Sequence, residues 1–209
     1  DLDVSVGSAT VTDADLVVDA SALTGAISNV DVGQVSTDAA SSVIVKGGSS
    51  TNAFTIDNAG AGTVTYYGQS LADVVTITNA ASTGLVTIYG EAGDDVIIGS
   101  VAVDSINGGA AADTITGNGG IDTLIGGDGN DIFNYVNDAD LFSTANALVD
   151  DITGNAGNDT IRIGGGLAAF NIVAADTLAA RTAGVVSITA QDSAQVISVI
   201  VNDDMFEEG

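Results

Sequence analysis

The chain has 209 residues with no Cys, Pro or His, and its 28 acidic against 3 basic residues give a formal net charge of −25. That balance excludes nucleic acid and anionic membrane surfaces as partners, since only Lys46, Arg162 and Arg181 could meet a phosphate. The absence of Cys excludes disulfides, thiolate metal sites and a cysteine nucleophile, while a hydrophobic content of 45% excludes a disordered acidic tail.

Only Glu91, Glu207 and Glu208 are Glu; every other acid is Asp. A short Asp carboxylate reaches its own turn, so the acidity reads as turn chemistry. No apolar run approaches the roughly 18 residues of a membrane helix, so no membrane insertion is expected. The chain begins without Met and without a signal-peptide pattern, which gives the expectation of a processed chain or a fragment.

Over residues 1–46 apolar residues alternate with polar ones around Val4, Val6, Val11, Leu16-Val17-Val18, Val30, Val32, Val43 and Val45. Gly, Asp and Ser break them into short strands. From residue 47 a longer period begins, with Gly47-Gly48, Gly68 and Gly90 each opening a degenerate nonapeptide. GGSSTNAFT places Asn52, and GQSLADVVT places Asp73, where later repeats carry Asp. A second strand follows in each coil, at 63–67 and 85–89. Phe54, Ile56, Val64, Tyr66, Val75, Ile77, Val86 and Ile88 are predicted to point inward, with mostly Thr outside.

Residues 90–134 are five nonapeptides without a gap: GEAGDDVII, GSVAVDSIN, GGAAADTIT, GNGGIDTLI and GGDGNDIFN. Each starts with Gly (Gly90, Gly99, Gly108, Gly117, Gly126) and has Asp sixth (Asp95, Asp104, Asp113, Asp122, Asp131). A large apolar residue stands eighth (Ile97, Ile106, Ile115, Leu124, Phe133). Glycine allows the first half to turn tightly, and the last three residues suit a short strand with one residue inward. Two nonapeptides make one coil, which stacks Asp95, Asp113 and Asp131 in one column and Asp104 and Asp122 in the other. At a strand spacing of about 4.8 Å, neighbouring carboxylates repel by about 3 kcal/mol at an effective dielectric of 20. The columns therefore need a cation. Carboxylates with turn carbonyls form an all-oxygen site suited to Ca2+, which tolerates irregular geometry better than magnesium does.

These nonapeptides resemble the repeats-in-toxin (RTX) family of secreted calcium-binding proteins, whose repeat reads G-G-x-G-x-D-x-U-x, U being a large apolar residue. Gly126–Asn134 fits in full. Glu91, Ser100, Ala102 and Ala111 depart from it, and GNAGNDTIR at 154–162 is a sixth match that contributes Asp159. The resemblance implies an all-β, right-handed parallel β-helix or β-roll solenoid. Its metal residues would be Asp73, Asp95, Asp104, Asp113, Asp122, Asp131 and Asp159, with the turn residues Gly90, Gly93, Gly108, Gly126 and Gly129. It also implies secretion, through a one-step machinery that reads the C-terminus.

Between the repeats, residues 138–151 break the pattern. Leu141, Phe142, Ala145, Leu148 and Val149 fall at helical spacing and predict a short helical insertion capping the roll. Strands are then expected at 183–190 and 195–202, before the acidic end 203–208. The domain reading is a solenoid over 1–134 with the calcium-binding roll at 90–134, an insertion at 135–153, and further β structure over 154–209.

For function, no H-E-x-x-H or G-x-S-x-G motif is present, and the adjacent Asp94-Asp95, Asp150-Asp151 and Asp203-Asp204 read as turns or solvated faces. The expectation is no enzyme. It is a structural module of a cell-surface protein (surface-layer, filament or adhesin type) that self-assembles as a homo-oligomer, lattice or filament through calcium. The alternatives are the RTX module of a polysaccharide-acting enzyme, and a glycan-binding adhesin in which Tyr66, Tyr67, Tyr89 or Tyr135 stacks on sugar.

Overall fold

The fold follows from coils that alternate one strand on each of two facing sheets. A computed structural model of the chain describes chiefly residues 15–22, 42–49, 51–56, 61–78, 84–135, 140 and 150–163, with the backbone of further strands at both ends. Among the described residues the strands form a nine-stranded and an eight-stranded sheet, with two small pairs beside them. Among the described residues all strand pairs are parallel, and each interior strand of the two large sheets pairs with those one coil before and after it. Val96–Ile98, for example, lies between Val74–Ile77 and Thr114–Thr116. Val86–Ala92 lies between Thr63–Gln69 and Asp104–Ala110. The chain is thus an all-β parallel solenoid, and its strand pairing continues unbroken through residue 90.

Alternation does the sorting. In Thr63–Gln69 every second residue is buried, and the same holds for Ser42–Lys46. Every inward residue expected over 54–88 is buried. In the core, side chains stack by kind along the axis. Val45, Tyr66, Ile88, Ile106, Leu124 and Ile152 form one row, and Phe54, Val75, Ile97, Ile115, Phe133 and Ile161 form its counterpart. The eighth residue of every nonapeptide falls in one of these two rows and is fully buried, so each is indispensable to the packing.

A third row changes character. Val43, Val64 and Val86 are buried in register, and the next residue in line is Asp104. The apolar row ends where the nonapeptides on that side begin.

The helical insertion expected near 138–151 lies outside the described residues except at Asp140, Asp150 and Asp151, as does the acidic end 203–208. Strands do form at Val185–Ala190 and Ile197–Val199, within the expected stretches.

Candidate metal centre

The turns on each side of the solenoid bring the sixth-position aspartates into two columns. Asp73, Asp95, Asp113, Asp131 and Asp159 form one, Asp104, Asp122 and Asp150 the other, and all eight are at most 1% exposed. Within the columns the bonding is regular. The amide N of Asp73 donates to Oδ1 of Asp95 at 2.7 Å, Asp95 to Asp113 at 2.8 Å, Asp113 to Asp131 at 2.9 Å and Asp131 to Asp159 at 2.9 Å. In the second column Asp104 donates to Asp122, and Asp122 to Asp150, each at 2.9 Å. Asp95, Asp113, Asp131, Asp159, Asp122 and Asp150 thus each spend one oxygen on the coil before.

The other oxygen separates the aspartates into two classes. Oδ2 of Asp95, Asp113, Asp122, Asp131 and Asp159 is buried with no hydrogen-bond partner. An anionic oxygen buried without a partner is among the costliest groups a protein can hold. Asp73, Asp104 and Asp150 are treated differently. Oδ2 of Asp73 accepts from the Tyr66 hydroxyl at 2.8 Å, and Oδ2 of Asp150 from the Tyr135 hydroxyl at 2.7 Å. Asp104, with Val86 below it in place of an acid, accepts from the Ser100 amide at 2.6 Å and the Ser100 hydroxyl at 2.8 Å. Hydroxyls from the core or the turn close these ends.

The glycines divide by role. The first glycine of each repeat has ordinary backbone angles; left-handed angles fall on the second and fourth places, as at Gly127 (φ 116°) and Gly129 (φ 143°). The first glycine is instead required by the carboxylate. A β-carbon on Gly90 would overlap both Oδ2 of Asp95 and the carbonyl oxygen of Gly108 in the next coil. A carboxylate oxygen and a neighbouring carbonyl oxygen therefore face one small space lined by no side chain. The turn from Gly99 differs: neither Ser100 nor Ala102 is left-handed, and the Ser100 hydroxyl also accepts from the Ala102 amide at 3.0 Å.

Electrostatics mark the same residues. Burial pushes Asp95 and Asp113 up to about 7, and neighbouring carboxylates add to the shift. Asp122 is pushed up to about 8 by burial and then by the charge of Asp150. Asp104 rises to about 6, held back by the bonds from Ser100. Burial also raises Asp131, and it raises the Tyr66 and Tyr135 phenols beside their carboxylates. Without a cation these columns favour protonated carboxyls.

A calcium ion fits this donor set. All its atoms are oxygen, the carboxylates are anionic, and the orphaned oxygens lie beside turn carbonyls. Among the described residues no three carboxylates converge on one point, so an ion between coils would draw on backbone carbonyls for the rest of its shell. Ligands of that kind are no obstacle for calcium, whereas magnesium would insist on an octahedron.

Of the residues singled out in the sequence, Asp73, Asp95, Asp113, Asp131 and Asp159 share one column, and Asp104 and Asp122 the other. Gly90, Gly93, Gly108, Gly126 and Gly129 lie in the turns of the first. The sequence reading missed Asp150, taken there for a turn or solvated residue; it is fully buried and ends the second column. The signal was available. Counting nine residues back from Gly154 frames ANALVDDIT, with Asp150 sixth and Ile152 eighth. Ala145 in place of Gly hides it.

Residues 80–106, 87–115, 107–142 and 144–166 match the RTX calcium-binding nonapeptide repeat, in four copies. Comparison with curated proteins and with solved structures gave no match. The fourth copy takes in the hidden frame at 145–153. Stacked coils, buried carboxylate columns and the family match agree: residues 80–142 and 144–166 are RTX calcium-binding repeats, their described residues fold as a parallel β-roll, and their ligand is Ca2+.

Proposed function

We propose that the chain is a non-catalytic structural module of a secreted cell-surface protein, of surface-layer, filament or adhesin type, that calcium folds, stiffens and joins to further copies. RTX repeats are typical of secreted bacterial proteins. In this reading the ions sit at the orphaned oxygens of Asp95, Asp113, Asp131 and Asp159 on one side and of Asp122 on the other. Asp73, Asp104 and Asp150 act as closed ends. The coil is right-handed, the hand that parallel crossovers overwhelmingly take.

The observation that carries self-association is an apolar pair on the outside of the nine-stranded sheet. Val74 and Val96 are neighbours in register and are 43% and 39% exposed. Ile98 and Ile132 stand half-buried on the same sheet, whereas Ile125 belongs to the opposite one. Exposed apolar residues grouped on a flat sheet favour a partner over water. A net charge of −25 keeps calcium-free copies apart, and bound divalent ions lower that barrier.

Sedimentation velocity in chelator and in millimolar calcium tests the reading. The expected result is calcium-dependent association that the double substitution Val74→Asp and Val96→Asp abolishes while the β-sheet signal persists. Both side chains point outward, so the core is spared. A calcium-loaded protein that stays monomeric at high concentration would overturn it.

A further inference from the structure

Outside the carboxylate columns, the eight-stranded sheet carries a second constellation on its solvent face. Lys46, Tyr67 and Tyr89 stand in register on successive coils. The two tyrosine rings stack at 5.2 Å with 13° between their planes. Tyr89 therefore covers one face of Tyr67 and leaves the other toward Lys46. There a pocket of about 510 Å³ opens, lined by Ile44, Lys46, Tyr67, Gly68, Gln69 and Glu91.

Three features make this more than a surface dent. Gly68 lines it without a side chain, because a β-carbon there would overlap the Gly90 carbonyl. Glu91 holds φ at 75°, where the equivalent residues of the next coils are Gly109 at 115°, Gly127 at 116° and Asn155 at 70°. Glycine and asparagine enter the left-handed region readily and glutamate does not, so Glu91 keeps its long carboxylate there at a cost in backbone strain. Finally, Lys46, one of three cations in the chain, is spent here, with Nζ 3.3 Å from Oδ2 of Asp19.

The charges choose among ligands. Lys46 is balanced by Asp19, and Glu91 adds a further negative group, so an anion gains nothing and is repelled by the acidic chain as a whole. What remains is an aromatic face ringed by an ammonium donor, a carboxylate acceptor and an amide that both donates and accepts. Hydroxyl groups on a ring with an apolar C–H face match that set. We propose that this pocket binds a neutral hexopyranose unit of a glycan. The sugar's C–H face rests on Tyr67, and its hydroxyls are held by Lys46 Nζ, the Gln69 amide and the Glu91 carboxylate. Pockets of this size, with few polar groups around an aromatic wall, are the usual form of small-ligand sites. The inference goes beyond the structural role and holds whether or not copies associate.

Glu91→Gly supplies the decisive test, because it restores the glycine of the repeat and relieves the strained backbone. The calcium-loaded chain is titrated by calorimetry with neutral β-glucan and α-mannan oligosaccharides and with a uronic-acid oligomer. At least one neutral probe is expected to bind in preference to the uronic oligomer. Glu91→Gly should weaken that binding about tenfold while leaving calcium uptake intact and the melting point equal or higher, and Tyr67→Ala should weaken it as well. Failure of both neutral probes to bind, preference for the uronic oligomer, or affinity unchanged in both variants would each overturn the proposal.

Discussion

Oδ2 of Asp113 occupies the place from which a side chain on Gly108 would grow. Glycine and aspartate five residues apart are thus one steric unit, and neither is interchangeable without the other. Gly108→Ala is expected to cost about 1–3 kcal/mol through overpacking, with loss of calcium affinity as the carboxylate is pushed aside. At Gly119 the nearest atom to an added β-carbon is 3.6 Å away, so Gly119→Ala should stay within about 0.5 kcal/mol of the parent. Thermal melts of the two variants in calcium check the contrast; equal losses would remove the steric argument.

Calcium and protons should substitute for one another. Asp95, Asp113 and Asp122 have folded-state values near 7 to 8, well above the roughly 3.9 of an unfolded chain. A raised carboxyl stabilises the fold when protonated. That contribution is complete below the unfolded value and disappears as pH rises through the folded one. In chelator, circular dichroism should therefore show strand structure at pH 5 that is lost toward pH 8 to 9, windows set by these values. With calcium the signal should be flat across that range. A calcium-free protein as stable at pH 9 as at pH 5 would show that the columns do not oppose folding.

Asparagine replacements should rank the aspartates by their second oxygen. Asp113→Asn and Asp131→Asn keep an Oδ1 acceptor for the coil before but put an NH2 donor where an orphaned acceptor stood. Each is expected to lower calcium affinity about tenfold or more. Asp104→Asn, whose carboxylate Ser100 already holds, should lose less. Exposed Asp128→Asn should lose nothing measurable. Calorimetric calcium titration would reveal a uniform loss across all four if general acidity alone mattered.

Tyr66→Phe removes the hydroxyl that closes the first column at Asp73. It leaves a buried carboxylate oxygen without that donor and is expected to cost about 1–3 kcal/mol. The effect should be larger in chelator than in calcium. A melting point unchanged in both conditions would deny the phenol its capping role.

Most of this geometry was legible from phase alone. A nine-residue period with Gly, Asp and an apolar residue in fixed places determines which residues stack, because each coil repeats the last. The first column was legible as far as Asp73 and Asp159, but the closure of the second was not, since it depends on coil length. Asp73 and Asp95 are 22 residues apart, Asp95 and Asp113 are 18, and Asp131 and Asp159 are 28. Only the folded chain shows that Val86 underlies Asp104, or that Asp150 accepts from the amide of Asp122 across a 28-residue coil. Alternation also placed Tyr66 inward, and it is buried while Tyr67 is exposed.

The two carboxylate columns are unequal: among the described residues, orphaned oxygens number four along one side and one along the other. Calcium in the proposed reading accordingly works as a seam sewn mainly down one edge, while the opposite edge, apart from Asp122, is fastened by its own hydroxyls and amides. A chain that loses its ions should part along the stitched side first, like a book opening from its fore-edge while the spine holds. Hydrogen exchange during slow chelation would read this as early release of the Asp95 and Asp113 amides ahead of Asp104, and simultaneous release would refute it. The strength of such a rod then depends on which edge faces the load as well as on how much calcium surrounds it.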